Sequence, residues 1–138
     1  MHYKITKQFL KSKKEEKIFK IHIKKNELFN LLIKEINEAN DQQKMSTNVK
    51  AYMTGWNMNK KPGFKRLEKI IQKIVQDISE EYYRFKIQPN VVSIWGNIYR
   101  NGDYTRKHNH WPSLFSGVLF LKAPKNSAKL CFPEIGLE

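Results

Sequence analysis

The sequence predicts an α+β chain. Two observations carry this: amphipathic helical repeats fill the first two-thirds, and β-branched and aromatic runs separated by turn residues fill the last third. At 138 residues with 40% apolar and 12% aromatic content, the length suits one domain and the composition supports a packed core.

The elements follow in order. Residues 4–16 are polar and basic and read as a frayed start or loop. Residues 17–23 form a β-like run, with Ile18, Lys20 and His22 on one face and Phe19, Ile21 and Ile23 on the other. Asn26 offers an N-cap for a helix to about Asn40. In that helix Leu28, Leu32 and Glu35 share one line, and Phe29, Ile33 and Ile36 its neighbour. Residues 41–63 read as a connection punctuated by Gly55, Pro62 and Gly63, with Trp56 packing it onto something. The clearest element is a helix over residues 64–84, where Phe64, Leu67, Ile71, Ile74 and Ile78 recur every three or four positions. After Gln88-Pro89-Asn90, strands are expected at 91–99, 114–122 and 128–132, with turns at 101–103 and 124–127 and a stop at Pro133.

The net charge of +13 is uneven: residues 1–69 hold 17 basic against 7 acidic residues, and residues 70–138 hold 9 against 6. Such an excess attracts polyanions, nucleic acid among them. The cations are mostly lysine, in a chain also rich in asparagine and isoleucine. AT-rich coding accounts for this better than base readout, which favours arginine. No stretch approaches the roughly 20 apolar residues of a membrane span, and Met1-His2-Tyr3-Lys4 is not followed by a signal-peptide core. A cytoplasmic protein, of a bacterium or an infected host cell, is the expectation. The one cysteine, Cys131, reads as a buried inert thiol in a strand. Trp56, Trp95 and Trp111 read as packing residues ahead of base-stacking ones, and Glu80-Glu81 as a solvated helix face.

The chemistry concentrates at His108-Asn109-His110. In extended backbone, residues two apart point to the same side, so both imidazoles can reach one metal ion. Alone, this spacing is common and two ligands do not hold an ion tightly.

The surroundings are more specific. Ile94-Trp95-Gly96-Asn97-Ile98, Gly102-Asp103-Tyr104, His108-Asn109-His110-Trp111-Pro112 and Phe115-Ser116-Gly117-Val118-Leu119-Phe120 follow one another at set spacing. Together they resemble the first metal-binding segment of the iron(II)/2-oxoglutarate oxygenases. The branch is the prolyl-hydroxylase-like one, and within it a subset common in bacteria and phages. The resemblance covers about residues 92–134. It implies a double-stranded β-helix (jelly roll), left incomplete, flanked by the N-terminal helices. In that scheme residues 1–90 are the helical lead-in and 91–138 the first core strands.

The resemblance also implies iron(II) and 2-oxoglutarate as cofactors and a hydroxylase (dioxygenase) activity on a prime substrate whose identity the sequence does not give. His108 would be the first iron ligand. His110 stands at the second-ligand position, normally Asp or Glu, which removes one negative charge. Asp103 is the nearest acidic alternative. Tyr99 and Asn97 would face the cosubstrate, on the same strand face as Trp95. The family's third histidine and its cosubstrate-anchoring Arg or Lys lie further on than this chain reaches, since only 28 residues follow His110. His22 is a distant substitute. The implied explanations are a fragment, a decayed or split gene, or a half-site completed by a second chain that supplies the missing strands. The alternative reading is a non-catalytic basic module with a remnant oxygenase fold, binding nucleic acid or a complementing chain.

Overall fold

The computed structural model describes residues 2–8, 18–39 and 48–133. The chain divides into two units, one built from residues 1–26 with 120–138 and the other spanning Glu27–Leu119.

In the first unit, β1 (Tyr3–Gln8) pairs antiparallel with β2 (Ile18–Ile23), Tyr3 opposite Ile23 and Gln8 opposite Ile18. The expected frayed start is therefore a strand over its first residues, and the remainder to residue 16 lies outside the described residues. Tyr3 and Ile5 alternate with Lys4 and Thr6, a period-two pattern among charges, and they sit half-buried opposite Ile23 and Ile21. Lys20 and His22 are exposed, as the face assignment requires.

The second unit is organised by two helices, α1 (Glu27–Asn37) and α2 (Pro62–Tyr82). From α1, Leu28, Phe29, Leu32 and Ile36 are buried; from α2, Phe64, Leu67, Ile74 and Ile78. Each such side chain contributes roughly 1.5–3 kcal/mol of burial. Glu35 shares the buried line with Leu28 and Leu32, and its reason is a cap. Its Oε1 accepts from the Gly63 amide at 2.8 Å and its Oε2 from the Phe64 amide at 3.2 Å. These are among the donors that the first turn of α2 leaves without helical partners, and the carboxylate also meets the positive end of the helix. Lys61, at the N-cap position, makes no side-chain cap bond, so Glu35 caps α2 from another helix. Pro62 starts α2 two residues earlier than the apolar repeat suggested, its missing N–H harmless there. At the far end of α1, the Tyr52 hydroxyl donates to the carbonyls of Ile36 (3.1 Å) and Ala39 (2.8 Å).

The expected connection at 41–63 is partly strand. β3 (Val49–Lys50) pairs with β6 (Tyr104–Thr105), and β4 (Tyr52–Met53) pairs with β5 (Asn97–Ile98), both antiparallel. Hydrogen bonds from Arg106 N to Asn48 O (2.7 Å), Thr54 N to Gly96 O (3.0 Å) and Ile94 N to Trp56 O (2.9 Å) extend these pairings. The result is one interrupted ribbon of segments 48–58 and 94–106. A short 3₁₀ turn, Met58–Lys60, leads from it into α2.

One face of this ribbon meets α1. Gly96 is the contact point: a Cβ there would lie 2.4 Å from Ile36 Cγ1 and 2.6 Å from Cδ1, so no side chain fits. Thr54, fully buried, accepts from Gly96 N through Oγ1 at 3.0 Å.

Three strand expectations change. The run 91–99 contributes only the Ile94 bridge to Asn57 and β5. Residues 114–122 form no ladder among the described residues, and of 128–132 only Phe132 makes an isolated bridge. β-Branched sequence makes a segment ready to pair, but the ladder needs a second backbone alongside. Leu114 (87% exposed), Val118 and Phe120 accordingly stand open. Cys131, expected buried in a strand, is exposed for the same reason. The architecture is thus mixed α and β, with two helices and small antiparallel sheets. Among the described residues, no helix is long and apolar enough to cross a membrane.

Candidate metal and ligand site

The ribbon places the candidate residues by period two. Ile94, Gly96 and Ile98 alternate with Trp95, Asn97 and Tyr99, and Gly96 is the one against α1. Trp95, Asn97 and Tyr99 therefore share the opposite face.

The excursion from Tyr99 to Asp103 is braced at both ends. Asp103 N donates to Arg100 O at 3.0 Å, and Asp103 Oδ2 accepts from Arg100 N at 2.7 Å. Gly102 sits at φ 84°, the left-handed region where glycine is unstrained. Asp103, the acidic alternative among the metal ligands, spends Oδ2 on this turn. The Tyr99 and Thr105 hydroxyls hydrogen-bond across the base of the excursion.

Beyond β6 the chain brings the two histidines together. Their rings are 4.8 Å apart between centroids, and their Nε2 atoms 3.2 Å apart. His108 Nδ1 lies 2.8 Å from the Arg106 carbonyl. A carbonyl only accepts, so Nδ1 carries the hydrogen and the neutral ring presents a lone pair at Nε2. This is how metal-binding histidines are usually held: one ring nitrogen donates to backbone, which fixes the tautomer and aims the other. Two imidazoles bound to adjacent positions of one ion, with bonds of about 2.1 Å, put their nitrogens roughly 3.0–3.4 Å apart. The observed separation fits. Partial burial first, and the neighbouring His108 second, hold the His110 imidazole below its ordinary value of 6.5. His110 therefore stays neutral, the ligating form, to lower pH than a free histidine.

A row of rings leads into the pair. Trp56 and Trp95 are 6.4 Å apart between centroids, and Trp95 and His110 6.2 Å. The sequence reads the three tryptophans as packing residues; Trp95 is half-buried, whereas Trp56 is 48% exposed and Trp111 87%. The Trp111–Pro112 peptide bond is cis. On the same face, Asn97 Oδ1 is buried without a hydrogen-bond partner. A buried unpaired amide oxygen is costly, on the order of 1–3 kcal/mol.

Among the described residues, no group of three or more His, Cys, Asp or Glu side chains could hold a metal. The His108–His110 pair thus fits two positions of a metal centre, not three. His22 lies on β2, in the other unit. In comparisons with known proteins, no family model, no curated protein and no solved structure matches the chain.

Proposed function

We propose that the chain carries the first half of an iron(II)/2-oxoglutarate oxygenase site, with His108 and His110 as two metal ligands. The facing Nε2 atoms, 3.2 Å apart with His108 locked by the Arg106 carbonyl, carry this reading. The sequence likeness over residues 92–134 supplies the reaction class, and with it an incomplete jelly roll as the framework. The third ligand and the cosubstrate anchor come from outside the described residues or from a second chain that also pairs with 114–122.

When bound, iron(II) and 2-oxoglutarate supply oxygen activation coupled to cosubstrate decarboxylation, which leaves a hydroxylated product and succinate. The protein's own residues do the positioning. His108 and His110 donate two neutral nitrogens and no charge, so the anionic cosubstrate is the neutralising partner. Asn97, whose Oδ1 is buried without a partner, would turn its amide to hydrogen-bond that cosubstrate; the two ends of an amide exchange by a half-turn, so it can offer either a donor or an acceptor. Tyr99 offers a hydroxyl once it leaves Thr105. Trp95, its ring 6.2 Å from that of His110, would border that ligand on one side.

The test is an oxygen-free titration with cobalt(II) or iron(II), with and without 2-oxoglutarate, followed by tryptophan emission. The rings of Trp95 and His110, 6.2 Å apart, make the readout local. Micromolar binding, tightened by 2-oxoglutarate and lost in His108→Ala and His110→Ala, is expected. A wild-type chain with native circular dichroism that binds neither ion would sink the proposal.

A further inference from the structure

The face that holds the histidine pair also carries a row of aromatic rings, several of them open to solvent. Trp56, Trp95, His110 and His108 form a continuous row of ring neighbours, 4.8–6.4 Å apart. Trp111 follows His110 and projects almost wholly into solvent. Tyr99, on the same face as Trp95, is also exposed. Tryptophan side chains carry 150–250 Å² of surface, and folded monomers normally cover most of it.

The charges beside this row in the sequence all have one sign bar one. Between residues 99 and 111 stand Arg100, Arg106 and Lys107, against Asp103 alone. Asp103 is occupied by the Arg100 amide. Two of the four arginines in the whole sequence fall in this stretch.

A partner must therefore offer flat apolar faces and negative charge together. A protein surface rich in aromatics meets the first need, but only a strongly acidic one meets the second. Single-stranded nucleic acid meets both, with bases for the rings and phosphates for the cations. In a duplex the base faces are stacked on each other and closed to tryptophan. Base stacking on an aromatic ring also needs no hydrogen-bond code.

We propose that this face binds single-stranded DNA or RNA, with bases on Trp56, Trp95 and Trp111 and phosphates on Arg100, Arg106 and Lys107. The row ends at the histidine pair, so a bound strand passes over His108 and His110. Binding itself needs no metal. Where the pair does hold iron, the strand is the class from which the prime substrate comes.

The experiment uses the full chain in EDTA and a fluorescent oligonucleotide of about 12 nucleotides, long enough for one site. Anisotropy is followed from roughly 50 to 200 mM salt, the range over which phosphate contacts show. Three phosphate contacts give a log–log slope near −2, at about 0.7 per contact for single strands. Trp111→Ala should weaken binding roughly 5- to 100-fold without changing that slope. Arg106→Gln with Lys107→Gln should flatten the slope by about 1.4. Because Trp111 is so exposed, its variant should unfold at the wild-type urea concentration, which keeps a folding defect apart from a binding one. Three results overturn the proposal: no binding at the lowest salt, unchanged affinity in both Trp56→Ala and Trp111→Ala, or competition by poly-glutamate equal to that of the oligonucleotide. The last would assign the face to an acidic protein. Loss of metal binding in the cobalt titration leaves this proposal standing, so the two fail separately.

Discussion

Replacing Gly96 with alanine tests how α1 positions the ribbon. The added Cβ would meet Ile36 Cγ1 at 2.4 Å, Cδ1 at 2.6 Å and Cγ2 at 3.1 Å, where ordinary carbon contacts are about 3.5–4.0 Å. The gap must therefore widen by roughly 1 Å. Ile36 cannot turn aside, because it is buried and a β-branched side chain in a helix has one strongly preferred rotamer. The ribbon would move instead, straining the bonds from Thr54 N to Gly96 O and from Gly96 N to Thr54 Oγ1, both 3.0 Å. Overpacking of this kind costs about 1–3 kcal/mol, and weakening the two hydrogen bonds adds on the order of 1 kcal/mol. Gly96→Ala should thus destabilise by about 2–4 kcal/mol. Ile36→Ala removes all three clashing atoms at its own cavity cost of about 2–5 kcal/mol. The double variant should recover about 1–3 kcal/mol relative to the sum of the singles. Urea unfolding of the four proteins, read by tryptophan fluorescence, measures the cycle. Additivity within about 0.5 kcal/mol, the scatter of independent sites, would refute the contact as the cause, as would a Gly96→Ala protein of wild-type stability.

Two further outcomes are expected. Glu35→Gln loses the charge and sets an amide N–H against one of the two α2 donors; a drop of about 1–3 kcal/mol follows from the hydrogen bonds and helix dipole, visible as a melting shift of roughly 4–10 °C. Glu27→Gln, whose contact with Arg66 is exposed at 3.5 Å, should stay within about 0.5 kcal/mol. The second outcome concerns pH. Because His110 sits below 6.5 in the folded chain, the unfolded chain binds its proton first as pH falls. The contribution of His110 to stability is therefore constant above that value, declines as pH drops through 6.5, and levels off below the folded pKa. A histidine NMR titration should place the His110 midpoint below 6.5. His108→Ala should raise it only part of the way, since burial is the larger cause. A midpoint at or above the ordinary value would contradict the partial desolvation of this ring.

What the sequence made legible follows from what is local. The α1 and α2 repeats read correctly because a helix buries one face whatever it packs on; Leu28, Leu32, Phe64, Leu67 and Ile74 are all interior. The meeting of His108 and His110 was readable because period-two spacing is a property of three residues. Strands were not readable in the same way. Val49–Lys50 pairs with Tyr104–Thr105, more than fifty residues on, and nothing in Asn48-Val49-Lys50 announces that partner. Leu114–Lys122 has the stronger β composition and no pairing among the described residues. Glu35 was placed on the buried line without a reason for burying a carboxylate, because its two partners lie on the other helix. The exposure of Trp111 and Cys131 had no signal at all: both types are usually interior, and among the described residues no strand covers them.

The excursion between β5 and β6 has a consequence for how this surface can change over time. Ile98 faces Tyr52 and Tyr104 faces Lys50, so five residues, 99–103, stand opposite Ala51 alone. The ladder is already back in step on both sides of the loop. Residues can be added or lost there without shifting any strand, and each doubling of loop length costs only about 0.6 kcal/mol. Mutation by insertion is thus cheap beside the histidine pair and expensive everywhere else on the ribbon. Variation in what the site recognises can accumulate in this one loop while the scaffold that aims the imidazoles stays unchanged.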